Sequence, residues 1–259
     1  MNSFSKICKD IKSIKIQGAE NVAKAGLKAY ELKPTQDSIK KLKKLRPTEP
    51  MLFNSLEYAK KTSVKETLKK IKQDDEKIAK FGIKVVRKYV YIHCHSSSVI
   101  SILKRSKDKK RKFEVLNTET RPLFQGRKTA RELARHGIKV TTVVDSAINL
   151  IMKKAKVMLI GIDAIYNDGD VVNKIGSNLF AEKAYDSKVP VYVVGHSWKF
   201  TKKKIKIEQR DPDEVFDTES KKIKVLNSAF EIVDKKYIKG IISELGILTV
   251  NQFLKKVKK

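Results

Sequence analysis

The sequence predicts an α/β chain in which an N-terminal helical domain precedes a Rossmann-like, doubly wound and mostly parallel sheet domain. Three observations carry that expectation. Up to Gly82 the chain lacks β-rich runs and places apolar residues at helical spacing. Beyond Gly82 short β-branched runs alternate with amphipathic stretches. A hydrophobic fraction of 41% in 259 residues is enough to fill the cores such an arrangement needs. The boundary falls at Gly82, giving a helical domain over 1–82 and a ligand-binding, catalytic sheet domain over 83–259.

Ile11, Ile14, Val22, Ala25 and Leu27 set the helical spacing around a break at Gly18. Pro47 and Pro50 interrupt the pattern, which resumes over Met51 to Lys60 and Val64 to Phe81. In the second half, Tyr89 to His93, Phe113 to Asn117, Val140 to Val144, Val157 to Ile162 and Val189 to Val194 read as strands. Val99 to Lys104, Lys128 to His136, Ala147 to Lys154 and Asn173 to Ser187 read as the helices between them. Ligands of such sheets bind outside the carboxyl ends of the strands, so the residues directly after each strand carry the functional weight.

Composition bounds the function classes. A formal net charge of +29 suggests anionic partners, but the excess is Lys scattered along helical stretches such as Lys40-Lys41-Leu42-Lys43-Lys44, which reads as a solvated face. No RNA-binding aromatic signature, zinc-ligand spacing or Arg-rich arm accompanies it, so nucleic acid is expected only through sequence-independent electrostatics. Two cysteines far apart, and a polar opening after Met1, fit a reducing cytoplasm. The apolar runs are too short to cross a membrane.

The strand ends hold the candidate chemistry. His93-Cys94-His95-Ser96-Ser97-Ser98 sets a thiol beside an expected helix N-terminus, which favours a thiolate and a bound phosphate. The same Cys94 reads equally as a small buried hydrophobe. Asp163 follows the fourth strand, where a carboxyl group could share acid and base roles with the thiol, or serve as a helix cap or turn residue. Arg121 and Arg127, with Gly126, could receive phosphate after the second strand or be surface cations. Asp145-Ser146 after the third strand reads as an N-cap, and Lys199 after the fifth as a ligand or a solvated cation. Their shared rim is what a ligand site in this class requires.

Six segments in this order resemble one family: Arg46-Pro47-Thr48, His93-Cys94-His95-Ser96, Thr120-Arg121-Pro122-Leu123-Phe124-Gln125-Gly126-Arg127, Asp145-Ser146-Ala147, Gly161-Ile162-Asp163-Ala164 and Asn173-Lys174-Ile175-Gly176. That family unites regulatory subunits of translation initiation factor 2B, methylthioribose-1-phosphate isomerase and archaeal ribose-1,5-bisphosphate isomerase. The resemblance implies Cys94 and Asp163 as catalytic residues, with substrate held by Gln17, Gly18, Ala19, Glu20, Arg46, Ser96, Ser97, Ser98, Arg121, Asn173, Lys174 and Lys199. It implies no metal and no organic cofactor. It implies a phosphorylated pentose substrate, most directly ribose 1,5-bisphosphate in nucleotide salvage, activation by AMP, and a homo-oligomer, dimer or hexamer. Ribose-bisphosphate isomerases carry an Arg-Gly-Ala-Gly-like run where this chain reads Gln17-Gly18-Ala19-Glu20, which exchanges a cation for an anion. Archaeal initiation-factor-2B-like members resemble the Gln-Gly-Ala version and the Ser197-Trp198-Lys199-Phe200 ending, so a non-catalytic regulatory subunit is the second expectation.

Overall fold

The computed structural model describes residues 3–207 and 209–258. The N-terminal part is helical: α1 (Phe4–Lys12), α2 (Ala19–Leu32), α3 (Gln36–Leu45), α4 (Pro50–Lys61) and α5 (Val64–Gly82). Three of these start on hydroxyl caps, with Ser3, Thr35 and Ser63 accepting from the backbone N–H groups of Lys6, Ser38 and Glu66. Pro50 opens α4, where its missing N–H is not needed. Gly18, at φ +87°, turns the chain into α2, a backbone setting that favours glycine. Ile11, Val22, Leu27, Leu42, Met51, Leu52, Leu56 and Ile71 form the helical core.

The remainder contains β1 (Tyr89–Ile92), α6 (Ser97–Asp108), β2 (Glu114–Thr118), α7 (Gln125–Arg135), β3 (Val140–Val143), α8 (Ile148–Met152) and β4 (Val157–Gly161). It continues through β5 (Ala164–Tyr166), β6 (Val171–Lys174), α9 (Ser177–Asp186), β7 (Val191–Val194), β8 (Phe200–Thr201), β9 (Phe230–Val233), β10 (Ile238–Ser243), β11 (Gly246–Leu248) and α10 (Val250–Val257). Seven strands form one sheet in the order β11-β10-β7-β4-β1-β2-β3. Every neighbouring pair is parallel except β10 with β11. Val90 of β1 lies opposite Val115 on one side and Val157 on the other. Both faces are covered by apolar clusters, which is why these strands read as continuous apolar runs. The chain winds outward from β1 through β2 to β3, then returns to β4 on the other side of β1. That reversal opens a crevice above the carboxyl ends of β1 and β4.

The five expected strands all lie in this sheet. The expected helix over Asn173 to Ser187 does not hold throughout. Asn173 and Lys174 belong to β6, and α9 begins only at Ser177, after Gly176 at φ +95°. The reason is tertiary: β6 pairs with β5 and with the distant β9 in a second sheet ordered β8-β5-β6-β9. The expected helix over Ala147 to Lys154 is shorter, with α8 limited to Ile148–Met152. Among the described residues no helix is long and apolar enough to cross a membrane.

The two parts share a seam. Ile71 of α5 belongs to the helical core, whereas Ile78 of the same helix belongs to a sheet cluster. Asn54 of α4 donates to the carbonyls of Trp198 at 2.6 Å and Phe200 at 3.1 Å, and Tyr58 packs against the Trp198 ring. The segment after β7 is thereby fixed to the helical part.

Candidate active site

At the end of β1 the backbone turns out of the sheet through Cys94, at φ +64°. Its N–H donates to Thr120 Oγ1 at 3.0 Å, and its carbonyl accepts from Thr129 Oγ1 at 2.9 Å. Ser96 then caps α6. Gly161, ending β4, makes room for this turn, because a Cβ there would lie 2.9 Å from Ser96 Oγ. Beyond β4, the Asp163 N–H donates to the Val172 carbonyl, tying the acid to β6. Asn173 Nδ2 donates to Asp163 Oδ2 at 3.1 Å, and Ser177 Oγ donates to Asn173 Oδ1 at 2.8 Å. Lys199 Nζ donates to the Ile162 carbonyl.

Cys94 and Asp163 line one cavity of about 190 Å³. Burial pushes the Cys94 thiol up to about 11, with Lys174 opposing. The helix N-terminus was expected to favour the thiolate; desolvation outweighs it. Burial also raises Asp163 above the ordinary carboxylate value, against Lys199, Lys174, the Asn173 hydrogen bond and Arg46. Two groups that hold protons tightly therefore share a space with cations.

His93 is buried at the cavity wall. Its Nε2 lies 2.9 Å from the Ile175 carbonyl, which can only accept, so Nε2 carries the proton. Nδ1 then accepts from Thr118 Oγ1 at 2.8 Å. Burial lowers its pKa to about 4, so the ring is neutral and structural.

The opposite wall comes from the helical part. Glu20, in the first turn of α2, accepts from Ser97 Oγ at 2.9 Å and pairs with Lys24. Burial pulls its carboxyl up, but Lys24 and Ser97 together leave it below its ordinary value and ionised. Arg46 Nη2 lies 3.1 Å from Glu49 Oε1, both side chains being buried. Donor atoms of Glu20, Asp75 and His196 lie within 4.8 Å of one another, a spacing that suits a metal ion. The Lys24 ammonium offsets one of the two carboxylate charges, paired with Glu20 and 4.0 Å from Asp75.

Of the residues singled out from sequence, Gln17, Gly18, Ala19, Glu20, Arg46, Ser96, Ser97, Asn173, Lys174 and Lys199 join Cys94 and Asp163 around the cavity. Ser98 and Arg121 do not line it. Each helical residue rotates about 100° from the last, and Ser98 is carried to the buried face of α6. The Arg121 guanidinium lies over the Phe124 ring and donates to the Val215 carbonyl at 2.8 Å. His93, His95, Gln125, Lys128, Arg210 and Phe230 line the cavity without having been assigned a ligand role. The first three sit inside the recognised motifs; Arg210 arrives from an irregular stretch, and Phe230 from the start of β9, a strand the sequence reading did not anticipate.

Residues 14–250 match the initiation factor 2 subunit family. The chain belongs to that family. The match spans every cavity-lining residue, from Ile14 to Phe230. Ribose 1,5-bisphosphate isomerase of Methanocaldococcus jannaschii is 34% identical, the alignment covering 96% of this chain and 92% of the relative. A putative translation initiation factor eIF-2B subunit 2-like protein of Pyrococcus furiosus is 31% identical, over 94% of this chain and 95% of the relative. The crystal structure of Pyrococcus horikoshii OT3 translation initiation factor eIF-2B superposes with a TM-score of 0.85 at 27% identity, covering 95% and 96% of the two chains. Relatives named as an isomerase and as initiation-factor-like thus both align with more than nine-tenths of this chain.

Proposed function

We propose that this chain is a sugar-phosphate aldose–ketose isomerase that converts ribose 1,5-bisphosphate to ribulose 1,5-bisphosphate. The observation that carries the reading is the placement of Cys94 and Asp163 after adjacent parallel strands, in one cavity with Lys174, Lys199 and Arg46. A pentose blocked by phosphate at C1 cannot open its ring by losing an anomeric proton. It needs a base at C2 and an acid at the ring oxygen. Cys94, as thiolate, takes the C2 proton; that electron pair forms the C1=C2 enol as the bond from C1 to the ring oxygen breaks, and the oxygen takes the Asp163 proton. The Asp163 carboxylate then accepts the C2 hydroxyl proton as the ketone forms, and Cys94 returns its proton to C1. Both groups end as they began. Arg46, Lys174, Lys199 and the start of α6 hold the phosphates.

We further place the protein in the cytoplasm, on its two free thiols, as a homo-oligomer activated by AMP. The exposed Leu150, Leu179 and Tyr185 supply apolar surface for self-association.

A second reading is a non-catalytic initiation-factor-2B-like subunit that binds a nucleotide or sugar phosphate. Glu20 favours it, as an ionised carboxylate on Ser97 where a phosphate would dock. The deciding experiment assays the purified protein on ribose 1,5-bisphosphate, with and without AMP, beside Cys94→Ser and Asp163→Asn. Turnover lost in both variants supports the isomerase. Binding without turnover of this substrate or of methylthioribose 1-phosphate supports the regulatory subunit.

A further inference from the structure

Cys94 holds a left-handed backbone, φ +64°, which its Cβ disfavours. Both flanking peptide groups are engaged by threonine hydroxyls: Cys94 N–H by Thr120 Oγ1 at 3.0 Å, and Cys94 carbonyl by Thr129 Oγ1 at 2.9 Å. Those threonines are 0% and 1% exposed, so bulk water does not compete for either contact. Thr129 Oγ1 also lies 2.9 Å from His95 Nδ1; in the tautomer with the proton on Nδ1 that nitrogen donates, which leaves the hydroxyl proton for the Cys94 carbonyl. Thr120 is itself left-handed at φ +62°, and Asp145 pins it: its two carboxylate oxygens accept the N–H groups of Thr120 at 2.9 Å and Arg121 at 2.6 Å.

We infer that Thr120 and Thr129 are positioning residues that clamp the peptide groups on either side of Cys94 and so aim its Sγ into the cavity, with Asp145 holding Thr120 in turn. Without the hydroxyls the Cys94 backbone relaxes toward negative φ and the thiol swings from its place beside Asp163. Thr120 and Asp145 then serve the shape of the Cys94 turn. The kinetic readout rests on the isomerase reading; the chemical readout does not.

Thr120→Val and Thr129→Val remove each hydroxyl at constant shape, and Thr120→Ser and Thr129→Ser retain it. In a Cys8→Ala background Cys94 is the remaining thiol, and its iodoacetamide alkylation is followed against pH. The Val variants are expected to move the alkylation midpoint down by a unit or more, from about 11 toward an ordinary thiol. They should also lose roughly 10²-fold in kcat with KM nearly unchanged. The Ser variants should restore both. Val variants that melt like wild type and keep the wild-type midpoint overturn the clamp, as do Ser variants as impaired as Val. If Thr120→Val does not fold, Asp145→Ala is compared with Asp145→Asn. Both remove the carboxylate charge that itself raises the thiol, Asn keeps an oxygen that can accept one of the two N–H groups, and equal midpoints in the two folded variants overturn the proposal. Should wild type turn over no sugar phosphate, the midpoints still decide the clamp while the isomerase reading alone fails.

Discussion

The two walls of the cavity are built on different principles. The sheet wall takes Cys94 and Asp163 from the ends of two hydrogen-bonded strands, each fixed by short contacts to buried partners. The helical wall presents Glu20 and Arg46 from helix ends, and each is engaged by a charge of opposite sign, Lys24 and Glu49. On the proposed reading, the difference assigns chemistry to the scaffold whose side chains are held by buried partners, and ligand selection to the charge-paired side chains of the other part.

The sharpest way to break that contrast is to remove the chemistry. Cys94→Ser and Asp163→Asn should each lower kcat by about 10²–10⁴ with little change in KM. An equal kcat loss from Gln17→Ala would show the helical wall to be chemical as well. The proposed steps need Asp163 protonated and Cys94 ionised, so kcat/KM is bell-shaped with a limb near 11 that disappears in Cys94→Ser.

The rigidity of the sheet wall can be tested through His93. The folded ring takes up a proton only near 4, whereas the unfolded ring does so near 6.5. Stability is full above 6.5 and falls as pH drops toward 4, by about 3 kcal/mol at the low end. Urea unfolding of wild type and His93→Gln at pH 7 and pH 4 should show this loss in wild type and its absence in the variant.

Lys174→Met sharpens the boundary between walls. Losing a charged phosphate contact should raise KM about 10–100-fold, and the thiol should move further up because Lys174 is the cation that opposes its burial. Steady-state kinetics and the alkylation midpoint read the two effects separately. The smallest effect is expected at Glu20→Gln, which keeps a hydrogen-bond acceptor for Ser97 and removes the charge. KM for the bisphosphate should fall by about 2–5-fold, with less change for a pentose 1-phosphate.

The contrast also explains what the sequence disclosed. Parallel strands buried on both faces are short apolar runs, so five of the seven strands of the main sheet, and the crevice between Cys94 and Asp163, were legible. Asn173 and Lys174 line the cavity, but from a strand and not from the expected helix. Their strand exists only because Phe230–Val233 pairs with it, a non-local contact that periodicity does not encode. The thiol's high pKa was likewise hidden. Proximity to a helix start is visible in a sequence, but the degree of enclosure that outweighs it is not. Thr120 opens one of the recognised segments and Thr129 lies outside them, but neither revealed this role, since a backbone clamp depends on a φ angle that cysteine ordinarily avoids.

Helix α5 has a consequence for how the chain is made. Its 19 residues span about 28 Å, with Ile71 in one core and Ile78 in the other. During synthesis the N-terminal half of this helix can dock as soon as α2 and α4 have formed, but the C-terminal half waits in water until β1 and α6 emerge. A fragment cut at Gly82 would retain Ile78 and Ala79 as an adhesive end, so the N-terminal part expressed alone should associate or bind chaperone unless that last turn is trimmed.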